Sequence, residues 1–115
     1  MFVNVISEKS FEFAVKIVSL SKELRKNEYE LARQLLRSGT SIGANVSEGQ
    51  QAQSRKDFIS KMSIALKEAH ETKYWLKLLE RTDMERSIRY KQMLSEVDEI
   101  IRILASIVKT TRETD

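Results

Sequence analysis

Apolar side chains recur every three or four residues along almost the whole chain, and the polar positions between them predict four amphipathic helices. We expect these helices at residues 8–26, 29–48, 54–81 and 84–110 of one domain that occupies residues 1–115. The connections are only a few residues long, so consecutive helices should be antiparallel. No segment shows the alternation that is typical of a strand. The pattern therefore predicts an all-α protein folded as an up-down-up-down antiparallel four-helix bundle.

The first and fourth helices are apolar over a wider arc than the core of one bundle requires. On the first helix, Phe11 and Val15 lie on one apolar stripe, whereas Phe13 and Ile17 lie on a second. Either the additional residues widen the core of the monomer, or they form a second buried surface between copies of the chain. We favour the second interpretation and expect a homo-oligomer.

Residues typical of helix ends occur near the expected boundaries. Ser7 or Ser10 is expected to cap the first helix. Gly49 is expected just beyond the second helix, in the left-handed conformation that glycine adopts at little cost. Ser54, followed three residues later by Asp57, predicts the N-cap of the third helix.

All three glycines fall in a stretch of small and polar residues between Ser38 and Gly49. Gly39 and Gly43 lie four residues apart, so both would face the same way on a helix. Two glycines inside a helix cost about 2 kcal/mol relative to alanine, which close packing of a neighbouring helix would offset. Alternatively, the helix breaks at Gly39, and the residue pattern alone leaves both interpretations open. The residues that would form a close helix contact are Ser38, Gly39, Ser41, Gly43, Asn45 and Gly49.

The composition of the chain suits a soluble helical protein, with 41% hydrophobic and 32% charged residues among 115. There is no cysteine, which excludes disulfides and thiolate metal sites and suits a reducing compartment. The apolar start, residues 1–6, is short and lacks the features of a signal peptide. No apolar run is long enough to span a bilayer. We expect a cytoplasmic protein that does not associate with membranes.

The net charge of +3 is unevenly distributed, because the basic excess lies in the first and third helices. Candidate contacts to RNA or DNA are Lys22, Arg25, Lys26, Arg33, Arg37, Arg55, Lys56 and Lys61. An antiparallel bundle places residues 22–26 and residues 55–56 at opposite ends. An oligomer would repeat each cluster around its axis, and such a basic rim could hold phosphates. The alternative is that these are ordinary solvated charges.

No arrangement of residues indicates catalysis or metal binding. His70 is the only histidine, and its neighbours Glu68 and Glu71 lack the Glu-x-x-His spacing of di-iron bundles. Together with Glu48, these carboxylates are better explained as hydrogen-bond acceptors or ion-pair partners, because no nucleophile–base pair accompanies them. We therefore expect a non-enzymatic protein with no catalytic, cofactor or metal site.

The stretch SGTSIGANVSEG from Ser38 to Gly49, followed by Ser54, Phe58 and IALKEAHETKYWL at residues 64–76, resembles the bacterial four helix bundle protein family. This family is also known as the 23S rRNA intervening-sequence proteins, and the resemblance extends over nearly the whole chain. It implies that the second helix is continuous and ends at Gly49. It also implies a ring-shaped homopentamer. A distant relative, the accessory variability protein of diversity-generating retroelements, is a basic pentamer that binds RNA and a reverse transcriptase.

Together, the residue pattern and the resemblance predict a non-enzymatic oligomeric helical scaffold that binds RNA or DNA through a basic rim. The alternative is a protein–protein assembly module without nucleic-acid binding, in which the ring presents a surface to an unidentified protein partner. Binding to RNA or DNA that weakens with salt would distinguish the two, because neutralised phosphates release counterions.

Overall fold

The computed structural model describes the backbone of residues 2–113 and the side chains of residues 4–113. Within this part of the chain nearly every residue is helical, and none lies in a strand. The helices are α1 (Phe2–Leu24), α2 (Tyr29–Gln50), α3 (Arg55–Thr82) and α4 (Ser87–Glu113). A short 3-10 turn, Met84–Arg86, connects α3 to α4. None of the helices in the described part combines the length and the apolar character that crossing a membrane would need.

The four helices form a single elongated bundle that measures 47 × 20 × 18 Å. Each helix packs against its neighbours in the chain, and α1 also packs against α4. Ion pairs join Lys9 to Glu99 and, farther along α1, Glu23 to Arg89. The residue number therefore rises in α1 as it falls in α4, which makes these two helices antiparallel. The predicted all-α four-helix bundle is confirmed.

The core shows how the wide apolar arcs of α1 and α4 are used. On α1, Phe13 and Ile17 are buried, whereas Phe11 and Val15 are 67% and 51% exposed. On α4, most of the apolar arc contributes to the core and so serves the monomer. The buried residues of α4 are Tyr90, Met93, Val97, Ile100, Leu104, Ile107 and Val108. On α1, the exposed apolar residues remain available for a second buried surface.

The packing of α1 against α4 is looser than that of the other adjacent helices. A groove of 410 Å³ lies between them, with Phe13 and Ile100 among the residues that line it. The Lys9–Glu99 ion pair and a second one, between Lys16 and Glu96, cross this groove. The seam between α1 and α4 is thus closed by charged side chains over part of its length.

Several helix ends differ from the sequence-based expectation. α1 begins at Phe2, so Ser7 and Ser10 lie inside the helix, and Ser10 Oγ donates to the Ser7 carbonyl at 3.2 Å. The expected caps were wrong because Ile6, which is fully buried, holds the preceding turn in the core. Gly49 lies within α2, and no glycine of the described residues has positive φ. The fourth predicted helix starts with the 3-10 turn, and its α-helix begins at Ser87.

Other local predictions hold. α2 is one continuous helix from Tyr29 to Gln50, so the break at Gly39 does not occur. Ser54 is the N-cap of α3, and its side chain accepts a 3.0 Å hydrogen bond from the Asp57 backbone N–H.

Candidate interaction surfaces

Two glycines of α2 lie where α1 approaches most closely. A Cβ atom at Gly39 would stand 2.7 Å from Cγ1 and 2.8 Å from Cγ2 of Ile17. At Gly43 it would stand 3.3 Å from the carbonyl oxygen of Ser10. The absence of side chains at these positions lets a buried isoleucine and a stretch of α1 backbone pack directly on α2. The resulting contacts offset the weak helix propensity of glycine.

The third glycine and Ser38 face α3. A Cβ atom at Gly49 would meet Met62 Cε at 2.5 Å and Lys61 Cβ at 3.3 Å. Ser38 is buried, and its Oγ accepts a 3.0 Å hydrogen bond from Thr72 Oγ1 on α3. The small residues of α2 thus contact two different helices.

The polar members of the same stretch bond within α2. Ser41 Oγ donates to the Arg37 carbonyl at 2.6 Å, and Asn45 Nδ2 donates to the Ser41 carbonyl at 2.8 Å. Ser41 and Asn45 are among the residues expected in a close helix contact, but their hydrogen bonds stay within α2, whereas that of Ser38 reaches α3.

Arg37 joins a polar network between α2 and α3. It pairs with Glu68 at 3.3 Å and also with Glu71, while Trp75 Nε1 donates to Glu71 at 3.0 Å. The hydrogen bond from Arg37, followed by that from Trp75, lowers the pKa of the Glu71 carboxyl. Both carboxylates therefore have a structural role here, and the guanidinium of Arg37 is engaged within the chain.

A second network closes one end of the bundle, which we call the turn pole because it holds the α1–α2 connection and the α3–α4 turn. The fully buried Tyr90 donates its hydroxyl to Asp83 Oδ2 at 2.6 Å, and Arg86 donates to the same oxygen at 2.8 Å. Burial raises the pKa of the Tyr90 hydroxyl, and the hydrogen bond from Tyr90 lowers that of the Asp83 carboxyl. Arg86 and Arg89 also pair with Glu23 at the end of α1. In the sequence, Tyr90 has the helical spacing from Leu94 and Val97 that is typical of a core residue, and nothing there points to its partner Asp83.

The candidate basic residues occupy different environments. Lys22, Arg25 and Lys26 lie at the turn pole, and none of them forms an ion pair among the described residues. Arg33, near the start of α2, pairs with Glu30 at 3.3 Å.

The remaining candidates lie on α3. Lys61 pairs with Glu48 at 3.4 Å. Arg55 donates to the Thr111 carbonyl at 3.3 Å, and Lys56 follows it at the start of the helix. Because α4 ends beside Arg55, these residues mark the opposite end of the bundle. The structure thus separates the eight candidates into two distant groups, with Arg37 between them.

An exposed apolar surface lies along α1 and α2. We call it the α1–α2 face and define it by the outward residues Phe11, Ala14, Val15 and Val18 of α1 and Thr40, Gly43, Ala44 and Ser47 of α2. Beside Phe11, a hollow of 490 Å³ is bordered by the small residues of α2. A large apolar side chain thus protrudes next to a depression.

Among residues 2–113, no group of three or more histidine, aspartate or glutamate side chains could hold a metal ion. His70 is exposed on α3.

Comparisons with known proteins give one consistent result. A family model described as 23S rRNA-intervening sequence protein matches residues 4–106. No curated protein matches the chain significantly. Among solved structures, the chain is similar to a protein of unknown function from the S23 ribosomal protein family of Bacteroides thetaiotaomicron VPI-5482. The two are 53% identical, with a TM-score of 0.87, over 95% of this chain and 99% of that chain.

Proposed function

Because the chain belongs to the 23S rRNA-intervening sequence protein family, we propose that it is a non-enzymatic scaffold that assembles as a homopentameric ring through the α1–α2 face. The observation that carries this proposal is the exposure of Phe11 and Val15, at 67% and 51% of their surface. Neighbouring large apolar side chains of this kind typically mark an interface. Burying the part of each side chain that is still exposed would contribute roughly 1–2 kcal/mol.

The shape of the α1–α2 face suits contact between copies. Phe11 protrudes beside the hollow that Gly43 and Ala44 border. A surface of this kind can receive an apolar side chain from another copy, and a head-to-tail contact that repeats by rotation closes into a ring. The number five comes from the family resemblance.

Light scattering coupled to size-exclusion chromatography tests the assembly. At micromolar concentration we expect the wild-type protein to have the mass of five 13.4 kDa chains. Phe11→Glu should yield smaller species, because a carboxylate would have to be buried. Ile88→Glu is the matched control, because Ile88 is a 75% exposed apolar residue outside the α1–α2 face. A monomeric wild-type protein would refute the proposal, and equal effects of both variants would place the interface elsewhere.

We propose further that the turn pole of the ring binds RNA or DNA. The supporting observation is that Lys22, Arg25 and Lys26 cluster there without ion pairs among the described residues, whereas Arg37 and Lys61 are paired. A pentamer would repeat this cluster five times around one rim. Such a ring of cations attracts the phosphate backbone without reading its sequence.

Fluorescence anisotropy with labelled single-stranded RNA and duplex DNA tests this second proposal. Affinity should fall as salt increases, and Lys26→Ala should weaken binding and reduce the slope of log affinity against log salt. Lys56→Ala, at the opposite end of the bundle, is the control and should leave both unchanged. No binding of wild-type protein even at low salt would refute nucleic-acid recognition and leave the protein-assembly module as the better function.

A further inference from the structure

We propose that a small cavity between α1 and α2, at the turn-pole end of the α1–α2 face, binds a phosphate group. This cavity, which we call the Ser21 cavity, has a volume of 140 Å³. Three cationic side chains, Lys22, Arg25 and Arg33, line it together with Ser21 and Tyr29. The remaining walls are apolar side chains of both helices. The site is complete within one chain, so it does not depend on the ring or on binding to the nucleic-acid backbone.

The hydroxyl of Ser21 is the first reason for this assignment. Ser21 is only 2% exposed, and its buried Oγ has no hydrogen-bond partner. The other hydroxyl residues that are this deeply buried are all hydrogen-bonded, namely Ser10, Ser38, Thr72 and Tyr90. A buried polar group without a partner is unusual in a native protein. Ser21 lines the adjacent cavity, so rotation of its side chain toward that cavity would let a ligand oxygen supply the missing bond.

The charge around the cavity is the second reason. Arg33 pairs with Glu30 at 3.3 Å, whereas Lys22 and Arg25 have no ion-pair partner within the part of the chain that the structure describes. The cavity is therefore left with an excess of positive charge.

The size of the cavity, 140 Å³, is compatible with an anion as small as phosphate. A phosphate has five non-hydrogen atoms, and a sugar or base attached to it would have to remain outside, beside the exposed ring of Tyr29. A phosphodiester within a nucleic-acid chain carries a nucleoside on both sides, so it cannot enter the cavity from one end as a terminal phosphate would. The ligand is thus inorganic phosphate or a terminal phosphate group.

Thermal unfolding in phosphate and in chloride of equal ionic strength tests the site. We expect phosphate to raise the melting temperature of the wild-type protein and Ser21→Ala to abolish that increase. In calorimetric titration with inorganic phosphate, Ser21→Ala should raise the dissociation constant by at least about tenfold, because a hydrogen bond to a charged group is lost. In chloride, Ser21→Ala should be at least as stable as the wild type, since it removes an unpartnered hydroxyl.

Ser63→Ala is the matched control, because Ser63 Oγ is also buried without a partner but lies on α3, away from the cavity. This variant should keep the response to phosphate. An equal response in the wild type and Ser21→Ala would overturn the proposal. A lower melting temperature of Ser21→Ala in chloride would also overturn it, because the hydroxyl would then be satisfied inside the protein.

Competition with oligonucleotides identifies the source of the phosphate. If strands with a 5′-phosphate or a 3′-phosphate displace inorganic phosphate and strands with hydroxyl ends do not, the ligand is a nucleic-acid terminus. If neither displaces it, the ligand is a small phosphorylated molecule or phosphate itself. Lys26 does not line the cavity, so Lys26→Ala affects rim binding alone. Failure of the rim proposal and failure of the cavity proposal are therefore distinguishable.

Discussion

Replacing Gly39 with alanine tests the close contact between α1 and α2. The added methyl group would lie 2.7–2.9 Å from three carbon atoms of Ile17, whose side chain is fully buried. Two of those atoms are the γ carbons of a β-branched side chain, whose χ1 angle strongly prefers one value in a helix, so they cannot rotate aside without strain. The helix must therefore separate from α1 or strain the isoleucine.

The magnitude follows from two opposing effects. Overpacking a well-packed core costs about 1–3 kcal/mol, whereas replacing glycine by alanine inside a helix returns about 1 kcal/mol. We expect Gly39→Ala to lower the free energy of unfolding by about 1 kcal/mol. In an Ile17→Ala background the three close carbons are gone. In that background, Gly39→Ala should raise the free energy of unfolding by about 1 kcal/mol. The effect of Gly39→Ala thus differs by about 2 kcal/mol between the two backgrounds, and this difference is the coupling energy between residues 39 and 17.

Urea denaturation followed by circular dichroism measures the four proteins of this cycle. All four should be compared at one protein concentration, because oligomers gain stability with concentration. Ile17→Val is the control background, because it removes only the δ carbon and keeps the two closest contacts. Additive effects of Gly39→Ala and Ile17→Ala would refute the argument, as would a stabilising Gly39→Ala in the wild-type background.

Two further changes test the ends of α3. The pKa of Asp83 is lowered in the folded state, chiefly by the hydrogen bond from Tyr90. The ionised carboxylate therefore stabilises the fold above pH ~3.9, the ordinary pKa of an aspartate. This stabilisation is lost as the pH falls through the lower pKa of the folded state. Asp83→Asn should therefore unfold more easily than the wild type at pH 7 in thermal melts, with a difference that shrinks below about pH 4; a pH-independent difference would contradict this. Ser54→Ala removes the N-cap side chain that accepts a hydrogen bond from the Asp57 backbone N–H. It should lower the free energy of unfolding by about 1 kcal/mol, as measured by urea denaturation. An unchanged denaturation midpoint would contradict the capping role.

The helical pattern predicted the bundle because burial of one stripe on each helix depends on local spacing. It could not decide whether α2 breaks at Gly39, because the compensating contact comes from Ile17 on another helix. The start of α1 was placed too late for a similar reason. Ser7 and Ser10 have the side chains of helix caps, and only the burial of Ile6 shows that the helix begins before them.

The candidate interaction surfaces were harder to predict. A count of basic residues treats Lys22 and Arg37 alike, but the carboxylates that neutralise Arg37 lie on α3 and depend on packing. Ser21 stands among charged residues in the sequence and looks like part of a solvated face. Its burial depends on how α2 lies across α1, and its missing hydrogen bond depends on the positions of all nearby acceptors. Such features follow from tertiary structure and have no signature in residue order.

The seam between α1 and α4 has a consequence for the order in which the bundle comes apart. α1 interlocks with α2 through Gly39 and Gly43, but it faces α4 across a groove bridged by Lys9–Glu99 and by Lys16–Glu96. Exposed ion pairs of this kind contribute little and are screened by salt. The α1–α4 seam should therefore be the earliest to part in partial unfolding, and amide protons along it should exchange with solvent sooner than those between α2 and α3.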